Sequence, residues 1–481
     1  MPALRLVAAA FGEELESGFD AIRRELEVPV GFDPPVIEAA EQAARRGPTA
    51  PPGAANEWTD RTDLALVTID PPTSTDLDQA YGAERIGDGY RVFYAISDVA
   101  AFVEPGGVLD DEARRRGVTF YSPDQRASLH PEPLNEDAGS LLPETTKPAI
   151  LWQIDLDGEG RRIGATATRA MVRSRAKLSY RAAQEHIDAG TGDPALGLLR
   201  EIGRLRQTLE AERGAISLQL PAQEITLLPN GDYELHYEHS LPVEGWNAQI
   251  SLLTGMAAGE ILVDAGHGLL RTLPPLQGET VEEVRRTARA LEIEWPDTES
   301  YPHRVRRLDP NVPREAALLT RAARSFRGAG YEAFVDGATP EQPLHGAINA
   351  IYAHVTAPLR RLCDRFTNEI VLAACADREP PTWALEALDE LPEIMGRARR
   401  RDRTLERAIV DFVEAVALQC HIGETFAGVV LSHRRNGANV QLRDPAVVAP
   451  IDAKPDIGEV VDLVLTGVDT TARRVEFRVG D

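Results

Sequence analysis

The stretch LALVTIDPPTSTDLDQA, Leu64 to Ala80, is the strongest constraint on how this chain folds. Leu64, Ala65, Leu66, Val67, Thr68 and Ile69 form an apolar run that reads as a buried strand, and Pro71-Pro72 forbids its continuation. Asp70 therefore stands at a strand exit, where chemistry usually sits. In extended backbone Asp76 and Asp78 point to the same side, and the turn at Pro71-Pro72 can fold Asp70 back toward them. Three convergent carboxylates repel one another unless a cation joins them. Hard oxygen ligands of this kind select Mg²⁺ or Mn²⁺. The plainer reading is that aspartates and threonines cap a turn, and this stretch alone leaves both open.

Composition narrows the partners. The 481 residues suggest roughly three domains. A net charge of -24, from 76 acidic against 52 basic residues, repels nucleic acid at long range, so a polyanion partner needs a local basic surface or bound metal. Arginines do cluster, in segments beginning at Arg161, Arg306 and Arg397, although each also reads as a solvated helix face. Cys363, Cys375 and Cys420 form no disulfide or zinc pattern, and His130, His345 and His354 match no zinc spacing. The short apolar run at the start meets Glu13 and Glu14 too early for a secretory signal, and no later run reaches membrane-spanning length. A soluble, cytoplasmic monomer without a membrane partner is expected.

Three regions follow from the texture of the chain. Residues 1–57 read as two helices and a linker: Asp33 is a candidate N-cap followed by prolines, Gly47 is a stop, and PTAPPGAANEW is a linker by composition. This is a small helical, helix-turn-helix-like domain. Residues 58–418 alternate strand-like runs with helices, an α+β pattern of one large domain. Residues 419–481 hold five short β-rich runs, which suit a small OB-type barrel.

The segment TIDPPTSTDLDQA resembles the signature of the ribonuclease II (RNB) family. Further segments match that family in order: AISDVAAFVEPGGVLDDEARRRGVTFYSP, SRAKLSYRAAQ, RGAISLQLPAQE and YAHVTAPLRRLCD. The resemblance spans roughly Leu64 to Cys375 and implies Mg²⁺-dependent hydrolysis of RNA from its 3′ end, releasing 5′-mononucleotides. Asp70, Asp76 and Asp78 match positions that organise the metal and attacking water. Arg360 matches an arginine that stabilises the transferring phosphate, and a planar guanidinium beside in-line attack makes electrostatic sense. Thr356 and Pro358 shape its approach, and Tyr352 and Arg361 beside them are RNA-contact candidates. Tyr180 matches a base-stacking tyrosine, although alone it would read as a core residue, and Arg175 and Lys177 are phosphate-contact candidates. The C-terminal barrel resembles the family's S-one-type OB fold, with Phe426 and His433 to Arg435 as RNA contacts.

Four departures stand out. Gln79 replaces the last aspartate of the usual D-x-D-D, removing one charge from the metal set. Ala248 and Gln249 align where the family carries a glutamate pair, with Glu244 and Asn247 as loose substitutes. Leu218 falls at the position of an aromatic that clamps the terminal base. The first 57 residues are too few for the family's two cold-shock barrels, and the helical module either touches duplex RNA or only packs on the catalytic domain. The expected partner is single-stranded RNA, with structured RNA a further candidate. The competing reading is a catalytically weakened RNA-binding protein of the same fold. A metal-dependent hydrolase acting on nucleotides is a third.

Overall fold

The computed structural model describes residues 4–480 except 7, 55–56, 218–221, 229, 239, 311, 324–325, 327, 339, 341 and 443–446. A short strand, Leu4–Leu6, which the sequence did not announce, precedes α1 (Ala8–Glu25) and α2 (Pro34–Arg46). Asp33 and the two prolines begin α2 as expected, and Gly47 ends it at φ +80° with its N–H on the carbonyls of Ala43 and Ala44. Asp33 caps by backbone conformation alone, because its side chain makes no cap hydrogen bond. The Pro-rich linker is fastened down: Trp383 Nε1 donates to the Pro52 carbonyl at 3.1 Å, and Pro51 is buried.

A six-stranded sheet forms the centre, from β1 (Thr59–Asp60), β2 (Leu66–Ile69), β3 (Gln79–Ile86), β4 (Gly89–Ser97), β7 (Thr146–Leu156) and β8 (Arg162–Leu178). Between β4 and β7 lie α3 (Val108–Arg116) and a small hairpin, β5 (Phe120–Tyr121) with β6 (Arg126–Ala127). The order is β1–β8–β2–β3–β4–β7, and β8 pairs again with β7, so the long strand curls the sheet on itself. Strand alternation divides β4 between two cores: Tyr90, Val92, Tyr94 and Ile96 join one, Phe93 and Ala95 the other. The larger core is covered by α4 (Tyr180–Ala189), α5 (Pro194–Glu212), α6 (Pro242–Ala265) and α7 (Leu362–Cys375). Fully buried Trp152 and Phe366 belong to it, each worth roughly 1.5–3 kcal/mol of transfer free energy.

After α8 (Leu391–Leu418) come β9 (Thr425–His433), β10 (Ala438–Leu442), β11 (Val448–Ile451), β12 (Val460–Asp469) and β13 (Arg474–Val479). They close into the expected five-stranded barrel. The end modules are not separate beads. Leu15, Phe19 and Ile22 of α1, Phe120 and Ala127 of the hairpin, Phe412 and Val416 of α8, and Val440 and Phe477 of the barrel share one core. Gly117 ends α3 at φ +77°, a conformation that disfavours side chains, and turns the chain into the hairpin. Among the described residues no helix is long and apolar enough to cross a membrane.

Candidate active site

Two chain segments meet at the exit of β2. Asp70 N–H donates to the Leu178 carbonyl at 3.0 Å, ending the parallel pairing of β2 with β8. The turn that follows is held from beneath by Lys177, whose Nζ donates to the Pro72 carbonyl at 2.8 Å and to the Ser74 carbonyl. Ser140 fixes the far side, accepting from Leu77 N at 3.0 Å and donating to the Thr75 carbonyl at 2.7 Å. The second segment runs through Thr356-Ala357-Pro358. It is locked to α3's exit by Thr119 N to the Arg360 carbonyl and Leu362 N to the Gly117 carbonyl, both 3.0 Å.

Asp78 joins the segments. Its Oδ1 accepts from Leu359 N at 2.8 Å, 281 positions away, and its Oδ2 faces Arg360 Nε at 3.3 Å. Burial pushes the Asp78 carboxyl up to about 7 despite Arg360, and Asp76 adds to the rise. Asp70 rises to about 6, again mainly by burial, with Arg360 and Lys177 opposing and Asp76 reinforcing. One oxygen of Asp70, Oδ2, is buried without a hydrogen-bond partner among the described residues. Asp76 is held differently: Arg126 Nη1 donates to its Oδ1 at 2.7 Å, and Arg126 also pairs with Glu136 at 2.5 Å. Arg360 is the open member, its side chain 48% exposed.

The other sequence candidates divide. Tyr180 begins α4 behind the Ser179 cap, beside Asn247 and within electrostatic reach of Asp70, Glu244 and Arg360. Asn247 thus joins the site, while Glu244 caps α6 through Leu241 N at 2.7 Å. Gln249 turns away, donating to Glu210 at 3.0 Å, and Ala248 is exposed. Gln79 directs its amide nitrogen to the Thr356 carbonyl, leaving its carbonyl oxygen as its only donor for a cation. Thr356 is buried and its hydroxyl meets Ser251 at 2.9 Å; Pro358 is buried beside it. Arg361 grips Asp364 at 2.7 Å from the buried side of the turn. Tyr352 is 7% exposed between the rings of His345 and His354. Arg175 donates to the Asp63 carbonyl at 3.3 Å. Phe426 packs edge-on to Phe477 and His421 in the barrel. Leu218 lies outside the described residues.

Arg126 was not singled out from the sequence, and Tyr121 lay unmarked inside a segment that matches the family. They face one another across the hairpin, and Tyr121, half exposed, lies within electrostatic reach of Asp76, Arg360 and Asp78. No spacing signal marks them, because the Arg126–Asp76 contact joins loops 50 positions apart.

Three carboxylates and an amide carbonyl are the donor chemistry of a hard divalent cation, and the unpartnered Asp70 oxygen is a ready ligand. The three aspartates do not gather within 4.8 Å as a preformed cluster; among the described residues only His354, Cys363 and Asp364 do so. Asp364 in that group already neutralises Arg361 and accepts from Ala357 N at 2.7 Å, so it holds the arginine turn.

Residues 58–377 match the RNB domain, and residues 424–480 match the RNase II-type exonuclease C-terminal S1 domain. The chain belongs to the RNB family. It is 26% identical over 469 residues to Ribonuclease R of Escherichia coli K12, covering 91% of this chain and 56% of that protein. The chain spans about half the length of the curated relatives it matches. Mycoplasma genitalium RNase R, solved in complex with ribose-methylated single-stranded RNA, superposes with a TM-score of 0.84 at 19% identity, covering 97% of this chain and 78% of that one. Yeast Ssd1, described as a pseudonuclease, superposes at 0.67 and 16% identity, covering 95% and 59%.

Proposed function

We infer that this chain is a divalent-metal-dependent 3′-to-5′ exoribonuclease that releases 5′-mononucleotides from single-stranded RNA, with Mg²⁺ as the metal. The observation that carries the reading is the meeting of Asp78 with Leu359 and Arg360 beside Asp70. Asp70, Asp76 and Asp78 would hold the cation, with Gln79 lending its carbonyl oxygen. A cation bound there supplies positive charge to the leaving oxygen and acidifies water. Arg360 faces Asp78 with Nε at 3.3 Å and its side chain is half exposed, which leaves it open to a phosphate, where a planar donor pair matches two oxygens. Lys177 and Ser140 keep the carboxylate turn rigid while charge builds up. Tyr180 gives a base a stacking face that tolerates any base identity.

A second reading, an RNA-binding protein with little activity, is favoured by two details. Gln79 contributes no charge, and Arg126 already neutralises Asp76. A circular single-stranded RNA and its linear form, incubated with the full chain and Mg²⁺, separate the readings. Loss of the linear form as mononucleotides, with the circle intact, supports an exonuclease acting from an end. Survival of both supports the binder.

A further inference from the structure

A basic pocket away from the carboxylate site gathers four arginine side chains against one lining carboxylate. Arg206 and Arg213 are seven positions apart at the end of α5, which puts them on one helix face two turns apart. Arg161 and Arg162, where β8 begins, complete a pocket of about 420 Å³ together with Leu209 and Glu212. The two strand arginines are paired, Arg161 with Glu159 at 3.1 Å and Glu212 at 3.6 Å, and Arg162 with Glu260. The two helix arginines are not. Arg206 is 6% exposed and its only hydrogen bond among the described residues runs from Nη1 to the Gly160 carbonyl at 3.0 Å. Arg213 donates from Nε to the Ile348 carbonyl at 2.8 Å. Arg206 Nε and Arg213 Nη2 are both buried with no partner among the described residues.

A guanidinium removed from water without a counter-charge is costly. Burial, joined by the charges of Arg213 and Arg162, lowers Arg206 to about 10. The helix C-terminus offsets some positive charge at Arg213, which succeeds the last helical residue. It does nothing comparable for Arg206, two turns back. Glu210, the nearby acid, opposes the fall at both Arg206 and Arg213, so one carboxylate serves two guanidiniums while also accepting from Gln249. Two guanidiniums that share one nearby carboxylate, set beside two further arginines, suit a dianion with several acceptor oxygens, and a phosphate monoester has that charge and shape. A phosphodiester within RNA carries one charge only, and no aromatic side chain lines the pocket to hold a base.

We propose that the pocket formed by Arg161, Arg162, Arg206 and Arg213 binds a dianionic phosphate group, either inorganic phosphate or the phosphomonoester of a small molecule. The site is independent of the nuclease reading. The test uses the full chain in Mg²⁺-free buffer, titrated with inorganic phosphate, adenosine 5′-monophosphate or adenosine, and followed by calorimetry and thermal melting. Phosphate, the monophosphate or both are expected to bind and raise the melting temperature, and adenosine is not. Response to phosphate alone identifies the free ion; tighter binding of the monophosphate identifies a phosphomonoester. Arg206→Met and Arg213→Gln should each weaken binding by about tenfold or more. Should Arg206→Met fail to fold, Arg213→Gln decides alone. Binding should persist in Arg360→Ala, which disables the other anion-binding group. No response to either anion, an undiminished response in the folded variants, or loss of the response in Arg360→Ala would overturn the proposal.

Discussion

Two sites in this molecule are built from the same side chains and differ in what encloses them. At the β2 exit, Asp78 faces Arg360 with Asp70 and Asp76 nearby. Behind the sheet, Asp98 and Glu369 share Arg169, with Arg169 Nε on Asp98 at 2.9 Å and Trp58 Nε1 on the same carboxylate at 3.2 Å. Burial pushes Asp78 and Glu369 alike up to about 7. A raised carboxyl therefore does not separate a reactive site from a structural one. The arginine does: Arg169 is 3% exposed and held by two carboxylates, whereas Arg360 is 48% exposed and faces Asp78 at 3.3 Å. The sealed group spends its charge on the fold. The open one keeps donors for a ligand.

The comparison breaks most sharply by removing each arginine. Arg169→Met leaves two buried carboxylates unpaired and should lower stability by about 3–5 kcal/mol. Chemical denaturation measures that loss, while the rate per folded molecule stays near the parent's. Arg360→Ala should do the reverse, melting near the parent temperature but cleaving RNA about 10²–10³-fold more slowly. If Arg169→Met also abolished cleavage in the folded fraction, the distinction would fail.

The pH dependence is the next largest effect. Glu369 titrates at about 7 when folded and about 4.3 when free, so between those values the folded chain keeps a proton that the unfolded chain has lost. Stability should fall as pH rises through that window and level off above it. Melting curves from pH 4 to 8 check the slope, and Glu369→Gln should flatten it. Asp70 and Asp78 add to the same slope, but Mg²⁺ should remove their share and leave that of Glu369. The smallest effect is Gln79→Asp, which restores a charged ligand and should tighten Mg²⁺ binding by less than about tenfold in calorimetry. Unchanged affinity would mean that position 79 serves the Thr356 carbonyl instead of the cation.

Sequence patterns were most informative where the signal was local. The strand stopped by Pro71-Pro72, the α2 boundaries and the five short runs of the barrel all depend on neighbouring residues, and all appear in the structure. The pairing of Asp78 with Arg360 followed from the RNB resemblance and not from spacing, since nothing within either segment refers to the other. Side-chain direction in tight turns was not legible. Arg360 and Arg361 are adjacent, yet one stands open and the other turns inward to Asp364. Tyr352 belongs to an aromatic stack whose members come together only in the fold. Lys177 looked like a phosphate contact, but it ties down the carboxylate turn. The shared core of α1, the hairpin, α8 and the barrel was hidden for the same reason: composition divides the chain into modules without recording which faces they bury together.

Cleavage of a 5′-labelled single-stranded RNA by the full chain and by Asp78→Asn, with Mg²⁺ present and binding measured in parallel, tests the central claim most directly. The account predicts shortening from the 3′ end by the parent and intact, still-bound RNA with the variant. Equal cleavage by both proteins would contradict it, because the carboxylate that joins the two segments would then take no part in the chemistry.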